Sequence, residues 1–160
     1  MGIRVPRVYI ETSVFNFVFA DDAPEKRDHT LALFEEIRQG QYRPYTSDYV
    51  LGELALASEP KRGNMLSLIG EYAVEVLPAD EDSKRLADLY VREGVIPARY
   101  GNDALHIAAA TVHDLDFIVS YNFQHIVKRK TIVMAEAINL RENYRRIGIY
   151  SPTEVIEHVD

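Results

Sequence analysis

Short apolar runs alternate with longer stretches of helical period along this chain, and that alternation restricts the fold more than any other feature. Runs at residues 7–10, 42–47, 73–77, 117–120 and 147–150 have strand length, and the segments between them repeat apolar residues at helical spacing. This order predicts an α/β fold with a parallel sheet covered by helices. Val8 and Ile10 mark the first strand, and a helical stretch begins near Thr12 and Ser13. Pro24 suits the first turn of a helix carrying Leu31, Phe34 and Ile37, which Gly40 ends. Ser47 or Asp48 can cap a helix at 49–57 by accepting free backbone N–H groups. A helix at 60–72 follows, then 73–77 as a strand or a connection. Asp80 then caps a helix with Leu86, Leu89 and Tyr90 that stops at Gly94. Residues 102–113 are the clearest helix, and 131–144 another. Ser151-Pro152-Thr153-Glu154 reads as a capping box with proline at the first helical position.

The 160 residues suit a single domain spanning 1–160, and no linker or repeat divides them. A domain of that size buries roughly 70% of its unfolded surface and needs no staples. There is no cysteine, which excludes disulfides, thiolate metal sites and a cysteine nucleophile, and fits a reducing cytoplasm. The net charge of −7 is unhelpful for unaided nucleic-acid binding, but it suits a protein whose acids serve a cation. No apolar run has transmembrane length and the start lacks a signal-peptide core, so the expected setting is cytoplasmic, away from membranes.

In open parallel sheets, sites gather beyond the carboxyl ends of the strands. Glu11 follows the first strand, Glu53 lies on the helix after the second, Asp103 opens the alanine-rich helix, and Asn122 follows the strand at 117–120. All can point at one end of the sheet. Carboxylates crowded together raise a pKa or demand a cation. Hard oxygen donors suit Mg²⁺ or Mn²⁺, and phosphodiester hydrolysis is the chemistry implied.

Each of these residues also has a purely structural reading. Thr12, Ser13 and Asp103 are good helix N-caps, Glu11 a first-turn acid, Glu53 a solvated helix residue, and Asn122 a turn residue. His106, three positions after Asp103, is equally a core histidine, and His125 a cap for the next turn. Lys128, Arg129 and Lys130 form the densest basic run, either a solvated turn or a contact for phosphates just after the site-side loop. Tyr42, Tyr45, Tyr100 and Tyr144 read as exposed aromatics able to line an interface or stack bases, with core readings equally open.

Taken in order, these segments resemble a known family. Val8-Tyr9-Ile10-Glu11-Thr12-Ser13 resembles the opening strand of PIN-domain nucleases, where an acid precedes Thr or Ser. Tyr49-Val50-Leu51-Gly52-Glu53-Leu54 resembles their second motif, and Asn102-Asp103-Ala104-Leu105-His106-Ile107-Ala108-Ala109-Ala110 is closely similar to their third. Ile118-Val119-Ser120-Tyr121-Asn122-Phe123-Gln124-His125-Ile126 is similar to their fourth. The resemblance implies a three-layer α/β/α sandwich and Mg²⁺- or Mn²⁺-dependent ribonuclease activity. It also implies likeness to VapC-type toxins of toxin–antitoxin modules, which are often dimeric and silenced by a small antitoxin. Carried onto this chain, Glu11, Glu53 and Asp103 are the expected metal carboxylates, with Ser120 and Asn122 as fourth-motif polar residues. Thr12 or Ser13 is the expected support of the first carboxylate, with His106 and His125 as further supporting side chains. The usual first-motif acid is Asp, and Glu11 adds a methylene; Asn122 and His125 stand where an Asp is often found. Metal binding is therefore expected to be weaker.

The leading expectation is a metal-dependent endoribonuclease, the toxin of a toxin–antitoxin pair, acting as a homodimer on RNA. A second is a degenerate PIN module that binds RNA or a protein without cutting. A third, another phosphate- or nucleotide-handling α/β enzyme, is disfavoured. No glycine-rich phosphate loop follows the first strand, and Glu11 is not part of an Asp-x-Asp motif.

Overall fold

The computed structural model describes residues 4–157. Along the chain run β1 (Arg7–Ile10), α1 (Thr12–Phe17), α2 (Pro24–Arg38), β2 (Arg43–Ser47), α3 (Asp48–Leu54), α4 (Lys61–Glu71), β3 (Glu75–Leu77) and α5 (Glu81–Arg92). A 3-10 turn (Ala98–Tyr100) leads into α6 (Gly101–Val112), followed by β4 (Phe117–Val119), α7 (Arg129–Arg141), β5 (Gly148–Tyr150) and α8 (Pro152–Val155).

The strands form one five-stranded sheet in the order β3-β2-β1-β4-β5. Every neighbouring pair is parallel, as the alternation predicts. Helices cover both faces, giving the α/β/α sandwich. β1 lies at the centre, and Val8, Tyr9 and Ile10 have no exposed surface, as a strand covered on both faces requires. The edge strands β3 and β5 are short and expose Glu75 and Tyr150, which blunts them against further pairing.

Local signals set the element ends. Gly40 and Gly94 take φ of +83° and +81°, which ends α2 and α5 at no Cβ cost. Asp80 caps α5 by accepting from the Ser83 N–H at 2.9 Å. Glu154 closes the capping box of α8 on the Ser151 N–H at 3.0 Å.

Several boundaries differ from expectation. α3 ends at Leu54 rather than 57, and its chain continues in tight turns from Leu56 N–H to Glu53 and from Ala57 N–H to Leu54. β3 begins at Glu75, because Ala73 turns the chain with φ of +51°. α7 begins at Arg129, so Arg129 and Lys130 form its first turn rather than a loop. The tyrosines read as exposed are not: Tyr45 is 4% exposed, and Tyr42, Tyr100 and Tyr144 are half-buried. Tyr42 donates its hydroxyl to the Val155 carbonyl at 2.5 Å, which holds α8 to the start of β2. Among the described residues, no helix is long and apolar enough to cross a membrane.

Candidate active site

From β1 the chain builds outward to β2 and β3, then crosses to β4 and β5 on the other side. The switch point therefore lies between β1 and β4, where an open sheet leaves a crevice at its strand ends. Glu11 ends β1 at this point, and Ser120 and Asn122 follow β4. α3 brings Glu53, and α6 brings Asp103. Glu11, Thr12, Ser13, Glu53, Asp103 and Asn122 line one open cleft of about 550 Å³ there. A larger groove of about 760 Å³ beside α5 and α6 shares only Asp103 with it. The carboxylates make the smaller cleft the chemically equipped one.

Glu11 is 4% exposed. Its Oε1 accepts from Ser13 Oγ at 2.6 Å and from Ser120 Oγ at 2.5 Å. Each serine oxygen in turn accepts a backbone N–H, Ser13 from Tyr121 at 2.8 Å and Ser120 from Asn122 at 2.9 Å. Those bonds aim both hydroxyl protons at the carboxylate, so the buried charge is held by strong charge-assisted bonds. Neither Thr12 nor Ser13 is the N-cap of α1: Glu11 holds that position, without a side-chain capping bond. Ser13 is the residue that supports the first carboxylate. Thr12 Oγ1 is buried with no hydrogen-bond partner.

Glu53 Oε1 is bonded to His106 Nε2. His106 has no exposed surface, and its Nδ1 meets Tyr9 Oη at 2.7 Å; Tyr9 Oη meets Ser47 Oγ at 2.6 Å. Burial alone would lower the His106 pKa, but the Glu53 bond and the charges of Glu11, Glu53 and Asp103 outweigh it and raise it. Burial likewise favours neutral Glu53, but the His106 bond and charge outweigh it and hold its carboxyl below the usual range. When His106 is protonated it donates from both nitrogens, and Tyr9 then accepts from it and donates to Ser47. His106 is thus a buried positioning residue for Glu53.

Asp103 is not the N-cap of α6; it lies in the first turn, and Tyr100 holds the cap position. Burial pushes the Asp103 carboxyl above its ordinary value and Glu11 adds to the rise, against the opposing pull of His106, Asn122 and His125. Asn122 Oδ1 accepts from His125 N–H at 3.0 Å, so its amide oxygen closes a turn and its NH₂ is left to donate to Asp103. His125 stacks on Tyr100 with centroids 4.0 Å apart, and its buried Nε2 has no partner.

Hard oxygen donors, a buried unpartnered hydroxyl and an acid raised by burial and by Glu11 together suit a divalent cation. Among the described residues, however, no three acidic or imidazole side chains surround a common point as they stand. Glu53 is turned onto His106, and Glu11 Oε1 onto its serines.

Lys128 and Arg129 line a different groove, with Ile149 and Glu154, away from the carboxylates. The cation in the acidic cleft is Lys61, at the first position of α4. Sequence reading passed over Lys61, Asn16 and Tyr9. Tyr9 looks like ordinary strand core between Val8 and Ile10, and nothing local places Lys61 or Asn16 in the cleft.

Two comparisons bear on this arrangement. No curated protein matches the chain by sequence. A crystal structure of VapBC2 from Rickettsia felis, bound to a DNA fragment from their promoter, superposes with a TM-score of 0.53 at 14% identity. The match covers 89% of this chain and 96% of that one, and it is a likeness of fold. The sequence itself matches the PIN domain family over residues 8–130, a span that contains every carboxylate of the cleft. With a parallel sheet whose central switch point carries those carboxylates, the chain belongs to the PIN-domain family.

Proposed function

We propose that this protein is a divalent-metal-dependent endoribonuclease and the toxin of a toxin–antitoxin module. The observation that carries the reading is the convergence of Glu11, Glu53 and Asp103 on one cleft at the sheet's switch point. Glu11, Glu53 and Asp103 would hold Mg²⁺ or Mn²⁺. A bound ion would supply positive charge for a scissile phosphate and acidify a nearby water. Ser13 and Ser120 orient Glu11, His106 orients Glu53, and Asn122 steadies Asp103. The toxin role rests on family membership and on the fold likeness to a chain of the VapBC2 assembly. A small antitoxin partner, a homodimer and a cytoplasmic setting belong to the same reading.

Asp103→Ala is expected to lower RNA cleavage in Mn²⁺ by at least about a hundredfold, since it removes a carboxylate that no neighbour replaces. Cleavage of a structured RNA at the wild-type rate by this variant would sink the mechanism. A second reading, an RNA- or protein-binding module that does not cut, is favoured by two contacts. The Asn122 oxygen is engaged in its turn, and Glu53 is held by His106. Titration calorimetry with Mn²⁺ separates the readings, because heat that disappears in the Asp103 variant excludes an inert site.

A further inference from the structure

Two lysines beside the acidic cleft have no carboxylate partner among the described residues. Lys61 lines the cleft. Lys26, in the first turn of α2, lies over aromatic rings. Its Nζ is 5.2 Å from the Phe17 ring centre and 5.8 Å from those of Tyr121 and Phe123. Phe17 and Tyr121 lean together at 4.6 Å, and the Tyr121 hydroxyl is tied to Thr30 at 2.7 Å and to the Lys26 carbonyl at 3.1 Å. This seat is firm. Phe123 differs from the other two rings, because 50% of its surface is exposed. Phe17 follows Asn16 and Phe123 follows Asn122, and both asparagines line the cleft. The aromatic–lysine cluster is thus joined to the cleft through these two asparagines and lies just outside its lining, while Lys61 at the start of α4 stands within it.

We propose that Phe123 and Lys26 bind one nucleotide of a single-stranded RNA, the base stacked on the Phe123 ring and the phosphate held by Lys26. Lys61 meets the strand on the other side of the carboxylates. This deepens the reading of the cleft as a ribonuclease site and rests on it. The chain carries a net charge of −7, so a polyanion can cross an acidic cleft only where unneutralised cations stand at its margins. An exposed ring beside such a cation is the arrangement that stacks an unpaired base, which a duplex does not offer. Lys128 and Arg129 line a separate groove that shares no residue with the cleft.

The test is fluorescence anisotropy with a labelled single-stranded RNA and its duplex, in an Asp103→Asn background that stops turnover. Phe123→Ala is expected to weaken single-strand binding about tenfold. Lys26→Met, which keeps the stem over the rings, should weaken it and lower the slope of log K against log salt by about 0.7, with Lys26→Arg restoring both. Lys128→Ala should change neither, and the duplex should bind less tightly than the single strand. Thermal midpoints of the same variants identify any loss of fold. Parent-like binding by both the Phe123 and Lys26 variants overturns the proposal, as does a salt slope that Lys26→Met leaves unmoved. Cleavage by the unmodified protein in Mn²⁺ is read alongside. If cleavage is absent while these binding effects appear, the nuclease reading fails and the contact stands. If cleavage is present while the variants bind normally, the contact alone fails.

Discussion

Glu11 is a longer acid than the aspartate its motif usually carries, and the structure accommodates the added methylene by burying it. Ser13 from α1 and Ser120 from the end of β4 fasten the same carboxylate oxygen, so the side chain has little freedom to stray. The second carboxylate is held through a longer relay, from Glu53 through His106 and Tyr9 to Ser47. Tyr9 and His106 have no exposed surface, so no water can replace a lost partner. Tyr9→Phe should therefore lower stability by about 1–3 kcal/mol, the cost of leaving buried polar groups unpaired. A urea titration reads this directly, and an unchanged midpoint would show that the relay is not holding its members.

Among the elements, α6 matters most to the site. Its alanines let it lie close to the sheet, and Ala104, Ala108, Ala109 and Ala110 are wholly buried. The same helix carries Asp103 and His106 on one turn, so one packing decision positions both an acid and the histidine that opposes the rise of its pKa. The edge strand β5 shows how tightly the other side is fitted. A Cβ on Gly148 would stand 3.0 Å from the Phe117 Cβ and 2.5 Å from the Tyr150 ring. Gly148→Ala is expected to cost about 1–3 kcal/mol through overpacking. Thermal unfolding at neutral pH measures it, and a midpoint equal to wild type would mean that β5 shifts freely away from β4.

For the whole molecule, three acids of a chain with net charge −7 line one cleft. Asp103 is raised above its ordinary range by burial and by Glu11, a repulsion that a cation would relieve. Mn²⁺ at a hundred times its dissociation constant should then stabilise the fold by about 2.7 kcal/mol. Asp103→Asn should lose most of that gain. The comparison is two denaturation curves with and without the ion, and an equal rise in both proteins would place the ion elsewhere.

The order of strands and helices and the acids at strand ends were legible in the sequence. Periodicity and capping are local, and a residue's place just past a strand is set by chain order alone. The boundaries that shifted at α3 and β3 lie where a turn outweighed propensity, whereas α7 starts earlier by taking in Arg129 and Lys130. Which donor meets which acid was a matter for the tertiary structure. Ser120 reaches Glu11 only through the parallel register of β1 with β4, and Tyr9 reaches His106 only once α6 packs on the sheet. The exposed ring beside the cleft proved to be Phe123 rather than the tyrosines, and the lining cation Lys61 rather than the basic run at 128–130. Contacts across so many intervening residues depend on packing distances that no local pattern carries. The sequence alone determined that a carboxylate site would form at the end of this sheet; folding decided how each carboxylate is held.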